Sequence, residues 1–226
     1  VERKKKHSVA VLTADIIQST RYSQRERQQL NRVLLKSFRE VDHRYSKAVH
    51  TPLTFRITAG DEFQCVFVDI PKTFEILTYL RATVIASGLK PPVRFRASIG
   101  VGQISVVGKS NSYEEDGEAF VRSRRGLEQL EKSRHTRWTR IVTGQPDLDQ
   151  PVDVILLLLD HMQQRWTLPQ WEAVRWSLRN LTREEISRKL KVAHQNVTKR
   201  LSAAGWQQFR SGSAFVASLL AKSVEP

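Results

Sequence analysis

Apolar positions recur along the chain with two different periods, and the change between them divides it. Residues 7–14, HSVAVLTA, make a short β-branched run that reads as a buried strand. Residues 24–45 instead place Leu30, Val33, Leu34, Phe38 and Val41 three and four apart, the stripe of an amphipathic helix. Two strand-like runs follow at 54–58 and 63–68, separated only by Ala59-Gly60-Asp61-Glu62, a hairpin tip whose geometry needs the glycine. A second helical stripe, Phe74, Leu77, Leu80 (or Tyr79), Val84 and Ile85, starts after Pro71 and stops near Gly88. Residues 93–106, VRFRASIGVGQISV, alternate as a strand does, and Gly100 and Gly102 mark a close backbone approach or a bend.

The order strand, helix, strand, strand, helix, strand is the ferredoxin-like βαββαβ arrangement. A helix at 117–132 and a strand at 138–142 complete this domain. Near residue 145 the character changes: TGQPDLDQP reads as a linker, and beyond it the pattern is helical at 153–165, 168–180, 182–191, 194–204 and 213–222. The expected fold class is α+β, a βαββαβ domain over residues 1–145 followed by an all-α helix-turn-helix domain over 151–226.

Composition narrows the partners. The formal net charge is +14 in 226 residues, a balance that suits polyanions such as DNA, RNA or nucleotides. Residues 1–150 carry 26 Lys+Arg and 17 Asp+Glu, a difference of +9; residues 151–226 carry 11 and 6, a difference of +5. Both parts are therefore basic. The one cysteine, Cys65, has no internal partner, as in a reducing compartment. The longest apolar run, 154–159, is too short to span a membrane, and Asp15 interrupts the apolar stretch after the basic start, so a cytoplasmic location is expected. The six histidines show no metal-ligand spacing.

The carboxylates carry the candidate chemistry. Asp15 ends the first strand, and Asp61 and Glu62 sit at the hairpin tip. In a ferredoxin-like sheet the first and third strands are central neighbours, so Asp15 and Asp61 meet at one edge. Two close carboxylates resist joint ionisation unless a cation lies between them. Mg²⁺ or Mn²⁺ suits such a site, because Mg²⁺ takes one or two protein carboxylates and completes its shell with water and phosphate. Asp15, Asp61 and Glu62 are thus the candidate metal ligands, with a polar hairpin tip as the competing role for Asp61 and Glu62. The turn after Asp15 supplies backbone N–H groups at Ile16 and Ile17 and hydroxyls at Ser19 and Thr20. With Gly60, these are the candidate nucleotide-binding positions. Helix capping is the competing role for Ser19 and Thr20.

AVLTADIIQST, FRITAGDEFQCVF, RFRASIGVGQISVVG and GEAFVRSRRGLEQL resemble, in order and spacing, the blocks of the nucleotide-cyclase/GGDEF palm superfamily and, more narrowly, of the SatD family. The resemblance covers roughly residues 8–132. It implies Mg²⁺ held by Asp15 and Asp61 beneath a nucleoside triphosphate, with Glu62 as a further ligand. Ala59 stands where GGDEF enzymes have a second glycine, and Val121 where the cyclases have a ribose-orienting Asn. Arg124 or Arg125 falls where the cyclases carry a transition-state Arg, and either is the catalytic candidate. A homodimer is expected if catalysis resembles the cyclases, whose sites form between two palms.

The tail has its own signature. Thr182 and Glu185 form a capping box, Ile186 and Leu190 give that helix an apolar face, and Lys191-Val192-Ala193 makes a tight turn into a helix burying Val197 and Leu201. The pattern resembles sigma-region-4-like and LuxR-like helix-turn-helix segments, which implies that Gln195, Asn196, Thr198, Lys199 and Arg200 face DNA. The leading expectation is a DNA-binding regulator whose cyclase-like domain senses a nucleotide. The alternative is an active Mg²⁺-dependent nucleotide cyclase or nucleotidyltransferase, and a third is a degenerate scaffold.

Overall fold

A central sheet in the order β2-β3-β1-β4-β7 carries the chain. The computed structural model describes residues 8–51, 53–90, 92–107, 114–133 and 137–224. The elements are β1 (Val9–Ile16), α1 (Gln24–Arg44), β2 (Arg56–Ala59), β3 (Glu62–Phe67), α2 (Thr73–Ile85), β4 (Phe95–Gly102), β5 (Ser105–Val107), β6 (Glu114–Asp116), α3 (Glu118–Lys132) and β7 (Thr139–Val142). They continue with α4 (Pro146–Arg165), α5 (Leu168–Ser177), α6 (Arg183–Leu190), α7 (His194–Ala203) and α8 (Trp206–Lys222). β1 is antiparallel to β3 and β4, whereas β7 joins β4 in parallel, so the α+β sheet is mixed. Its first four strands have the order of a split βαββαβ unit.

Strand period two sorts β1 between two layers. Ala10, Leu12, Ala14 and Ile16 pack with Leu30, Leu34 and Phe38 of α1 and Ile76 and Leu77 of α2. Val9 and Val11 face the other way, toward Ala119 and Phe120 of α3. Asp15 follows Val11 and Thr13 in that alternation and so belongs to the α3 face. α3 lies unusually close to the sheet: a Cβ on Gly100 would come 2.2 Å from the Ala119 carbonyl oxygen and 2.4 Å from the Ser123 nitrogen. The expected close approach at Gly100 is therefore made, with glycine as the residue that permits it.

The linker expected at TGQPDLDQP is instead the start of α4. Pro146 occupies the first turn and Asp147 and Asp149 follow, so residues that read as linker punctuation serve as helix-start residues. The Asp149 carboxylate accepts from the Thr143 N–H and Oγ1 and the Gly144 N–H, which turns β7 directly into the helix. α8 likewise begins at Trp206 rather than near 213.

The helical tail shares the core of the sheet domain. Phe74 of α2 stacks on Phe209 of α8 with ring centroids 6.0 Å apart. Arg81 of α2, 1% exposed, pairs with Asp160 of α4 and donates to Thr139 Oγ1, Gln163 Oε1 and the Trp138 carbonyl. Asp160 in turn accepts from the Trp138 and Thr139 N–H groups and from Thr139 Oγ1. No described helix is long and apolar enough to cross a membrane.

Candidate functional site

Asp15 is the last but one residue of β1, and the register sets what surrounds it. Glu62 lies directly across on β3 and Arg96 directly across on β4. Residues opposite one another in antiparallel strands project to the same face, so the three share the α3 side. Arg96 Nη2 donates to Asp15 Oδ2 at 3.1 Å, with the two side chains 23% and 17% exposed. Burial pushes the Asp15 carboxyl up to about 6; the nearby Asp61 charge pushes the same way, Arg96 opposes it, and Glu131 adds to the rise. The Ile16 N–H reaches the Asp61 carbonyl at 3.4 Å, which ties the hairpin tip to the end of β1.

The hairpin is tighter than expected, with β2 ending at Ala59, β3 beginning at Glu62, and Gly60-Asp61 as the whole turn. Gly60 has φ 59°, in the left-handed region where glycine is unstrained, and a Cβ there would meet no atom within 4 Å. The tip is therefore open around Gly60, as close approach by a ligand requires. Glu62 Oε1 accepts from Thr58 Oγ1 at 3.2 Å, so part of its capacity is already used.

Two carboxylates, Asp15 and Asp61, converge here, and among the described residues no group of three or more His, Cys, Asp or Glu is arranged to hold a metal. Such a pair fits Mg²⁺ carried in on phosphate, which needs only one or two protein carboxylates, and does not fit a cage made by protein alone.

The predicted phosphate cradle shifts by two residues. The Ile17 N–H donates to the Arg94 carbonyl at 2.9 Å and the Ile16 N–H to Asp61, so neither amide is available as the sequence suggested. Gln18 adopts φ 58° and leads into a short 3-10 turn over Ser19–Arg21. Among the described residues the Gln18, Ser19 and Thr20 amides make no backbone hydrogen bond. Nor do Ser19 and Thr20 cap α1. Ser23 does so, its Oγ accepting from the Glu26 N–H while its own N–H donates to Glu26 Oε2.

Arg124 and Arg125 are exposed on α3, whereas the charges that shift the Asp15 carboxyl are those of Asp61, Arg96 and Glu131. Arg125 instead lines a groove of about 490 Å³ with Val121, Arg140 and Gln150, between α3 and the β7–α4 corner. Arg96, Glu131 and the buried chain Gln64–Thr13–Ser123 beneath them went unnoticed in the sequence. The signal was available: Arg96, Ser98 and Gly100 alternate on one face of β4, and antiparallel pairing aligns that face with Asp15 and Thr13.

In the tail, the Thr182–Glu185 capping box forms as expected, with the Thr182 N–H donating to Glu185 Oε2 at 2.8 Å. Lys191, at φ 53°, ends α6, and α7 begins three residues later. Gln195, Asn196 and Lys199 are exposed together. Arg200 is not free, since its guanidinium reaches Glu172 of α5 at 3.4 Å, and half-buried Thr198 directs its hydroxyl to the His194 carbonyl. Both residues thus already have a partner within the fold.

A model of the SatD family matches residues 9–218. Among curated proteins none matches the chain. Solved structures give weaker likenesses. The dimeric guanylyl cyclase domain of the RhoGC fusion protein from the aquatic fungus Blastocladiella emersonii is 17% identical, with a TM-score of 0.40 over 54% of this chain and 74% of that one. The adenylyl cyclase CyaB from P. aeruginosa is also 17% identical, with a TM-score of 0.38 over 53% and 70%. Adenylate cyclases from Trypanosoma brucei are 13% identical, with a TM-score of 0.38 over 57% and 71%. At such scores the site must supply the functional argument.

Proposed function

For this chain, which belongs to the SatD family, we propose a Mg²⁺- or Mn²⁺-dependent nucleoside triphosphate site of the nucleotide cyclase or nucleotidyltransferase kind. The observation that carries the reading is the Asp15–Asp61 pair, close enough that Asp61 helps to raise the Asp15 carboxyl to about 6. Asp15 and Asp61 would hold the ion, which in phosphoryl chemistry neutralises phosphate charge and steadies the attacking and leaving oxygens. The Gln18, Ser19 and Thr20 amides, which make no backbone hydrogen bond among the described residues, would take phosphate oxygens. Arg96 holds the Asp15 carboxylate in place and would supply a cation for a phosphate bound beside it. Open space at Gly60 lets the triphosphate approach the backbone. Arg124 or Arg125 would act only on a site formed with a second palm. The test is incubation of the pure protein with each NTP and Mg²⁺ or Mn²⁺, followed by separation of products. A cyclic nucleotide or a transferred nucleotidyl group supports the enzyme; binding without product leaves a nucleotide sensor; no binding removes the proposal.

One observation favours a second reading, in which the tail binds DNA. α7 presents Gln195, Asn196 and Lys199 on one exposed surface behind a three-residue turn. Gln195 and Asn196 would read base edges, at about 1–3 kcal/mol for a good bidentate contact. Lys199 would contact phosphate, and its replacement should weaken binding to all sequences and flatten the salt dependence. A genomic selection that enriches no motif, with a Gln195→Ala, Asn196→Ala, Lys199→Ala variant binding DNA as wild type does, defeats this reading.

A further inference from the structure

Helix α4 is apolar on two sides, and only one of them is used. Val152, Leu156 and Leu159 are buried against the rest of the chain, with Asp160 and Gln163 beside them. On the opposite side Val154, Leu157 and Leu158 are 55%, 43% and 61% exposed. At 100° per residue, Asp147, Gln150, Val154, Leu157, Leu158, His161 and Arg165 form one continuous stripe, and all seven are exposed. Other exposed large apolar residues on the described surface are scattered, except Val121, which lines the groove beside Gln150 and extends this patch. A three-residue apolar cluster rimmed by polar groups is the pattern of an interaction surface rather than of chance exposure.

We propose that this stripe binds a second copy of the chain, with the two α4 helices antiparallel about a two-fold axis at the level of residue 156. The stripe is self-complementary in that register. Val154 meets the partner's Leu158, and by symmetry Leu158 meets the partner's Val154, as an isologous contact demands. At each end Asp147 meets the partner's Arg165, and each helix N-terminus lies beside the other's C-terminus, the favourable sense for the helix dipoles.

Charge further singles out this face. Copies of a chain with net charge +14 repel. The stripe carries one aspartate, Asp147, and one arginine, Arg165, so its formal charges cancel while the chain as a whole is strongly basic. The contact lies outside the Asp15 site and stands whether or not the nucleotide reading does.

Sedimentation of the full chain across a concentration series tests the proposal. Wild type should dimerise reversibly. Leu158→Asp changes an exposed side chain and should keep the circular dichroism and Tm of the monomer, yet raise the dissociation constant about thirtyfold or more, the loss expected of a central interface residue. Asp147→Arg and Arg165→Asp should each weaken the dimer, and the two together should restore it. A wild type that stays monomeric at its highest soluble concentration overturns the proposal, and so does a dimer indifferent to Leu158→Asp. A double charge swap as weak as the single changes overturns the antiparallel register.

Discussion

Two Asp–Arg pairs lie on opposite faces of the sheet near the start of β4, where Arg81 covers the Phe95 ring and Arg96 is the next residue, and they differ in how completely they are satisfied. At Arg81–Asp160 both side chains are 1% exposed, and the carboxylate takes two backbone N–H groups and a hydroxyl besides its ion partner. At Asp15–Arg96 the carboxyl has one arginine contact, two further acids bearing on it and partial access to water. The first pair is a joint binding α2, β7 and α4. The second is a carboxyl short of counter-charge, and a group that lacks positive charge in the folded protein is one that gains by binding a cation. The comparison teaches that saturation, rather than burial or charge alone, separates a structural ion pair from a candidate site.

The largest effect should come from breaking the joint. Asp160→Ala leaves the Arg81 guanidinium buried without its partner, and removal of one member of a buried pair costs about 3–5 kcal/mol. Urea denaturation measures it. Arg81→Met with Asp160→Leu removes both charges but should not regain wild-type stability, because the Trp138 and Thr139 N–H groups lose their acceptor. Asp15→Asn should by contrast stabilise the chain near neutral pH, because it removes a charge that burial and Asp61 disfavour. A loss at Asp15→Asn as large as that at Asp160→Ala would erase the distinction between the pairs.

Ligand binding should reverse the ranking. Mg²⁺ or Mn²⁺ with a triphosphate should raise Tm, by about 2.7 kcal/mol of linked stability when the ligand stands at a hundred times its Kd. Asp15→Asn and Asp61→Asn should each abolish the rise, whereas Thr182→Ala, a cap change costing about 1 kcal/mol, should lower Tm and leave the rise intact. Undiminished stabilisation in both Asn variants would remove the metal reading and leave the site an ordinary sheet edge.

Periodicity made most of the framework legible before any coordinates. Stripes such as Leu30–Leu34–Phe38 and alternations such as 95–102 report burial directly, and burial is what the fold distributes. Local chemistry served where it was self-contained, as in the Thr182–Glu185 cap. It misled where one residue type has two uses. The Pro and Asp residues of 146–151 mark loops as readily as helix starts, and only the packing of α4 on β7 decides between them. The site followed the same division. Strand order alone implied that Asp15 and Asp61 converge, whereas Arg96 and Glu131 emerge only from the β1–β4 register and from where α3 ends, and both are non-local. The amides of Ile16 and Ile17 were lost to carbonyls of Asp61 and Arg94, which no local pattern could have indicated.

The smallest predicted effect is a pair of opposed pH slopes at Asp15. Its carboxyl is raised from 3.8 to about 6 in the folded chain, chiefly by burial and then by Asp61. Between those values the native state holds more protons than the unfolded state, so stability should fall as pH rises through the window and level off above it. Asp42, also raised to about 6 by burial, gives the same sign, so the share belonging to Asp15 is the part of the slope that Asp15→Asn removes. Metal binding has the opposite dependence, because it requires the carboxylate. Affinity for the Mg²⁺–triphosphate should fall by up to tenfold per unit below about pH 6, or about 1.4 kcal/mol per unit for one competing proton. A terminal phosphate protonates in the same range, so the nucleotide's own affinity for Mg²⁺ in buffer is the reference at each pH. Calorimetric titrations at several pH values supply both quantities. If the affinity corrected in this way were flat from about pH 5 to 7, a carboxyl titrating near 6 could not be a ligand, and the contrast between the two aspartate–arginine pairs would rest on stability alone.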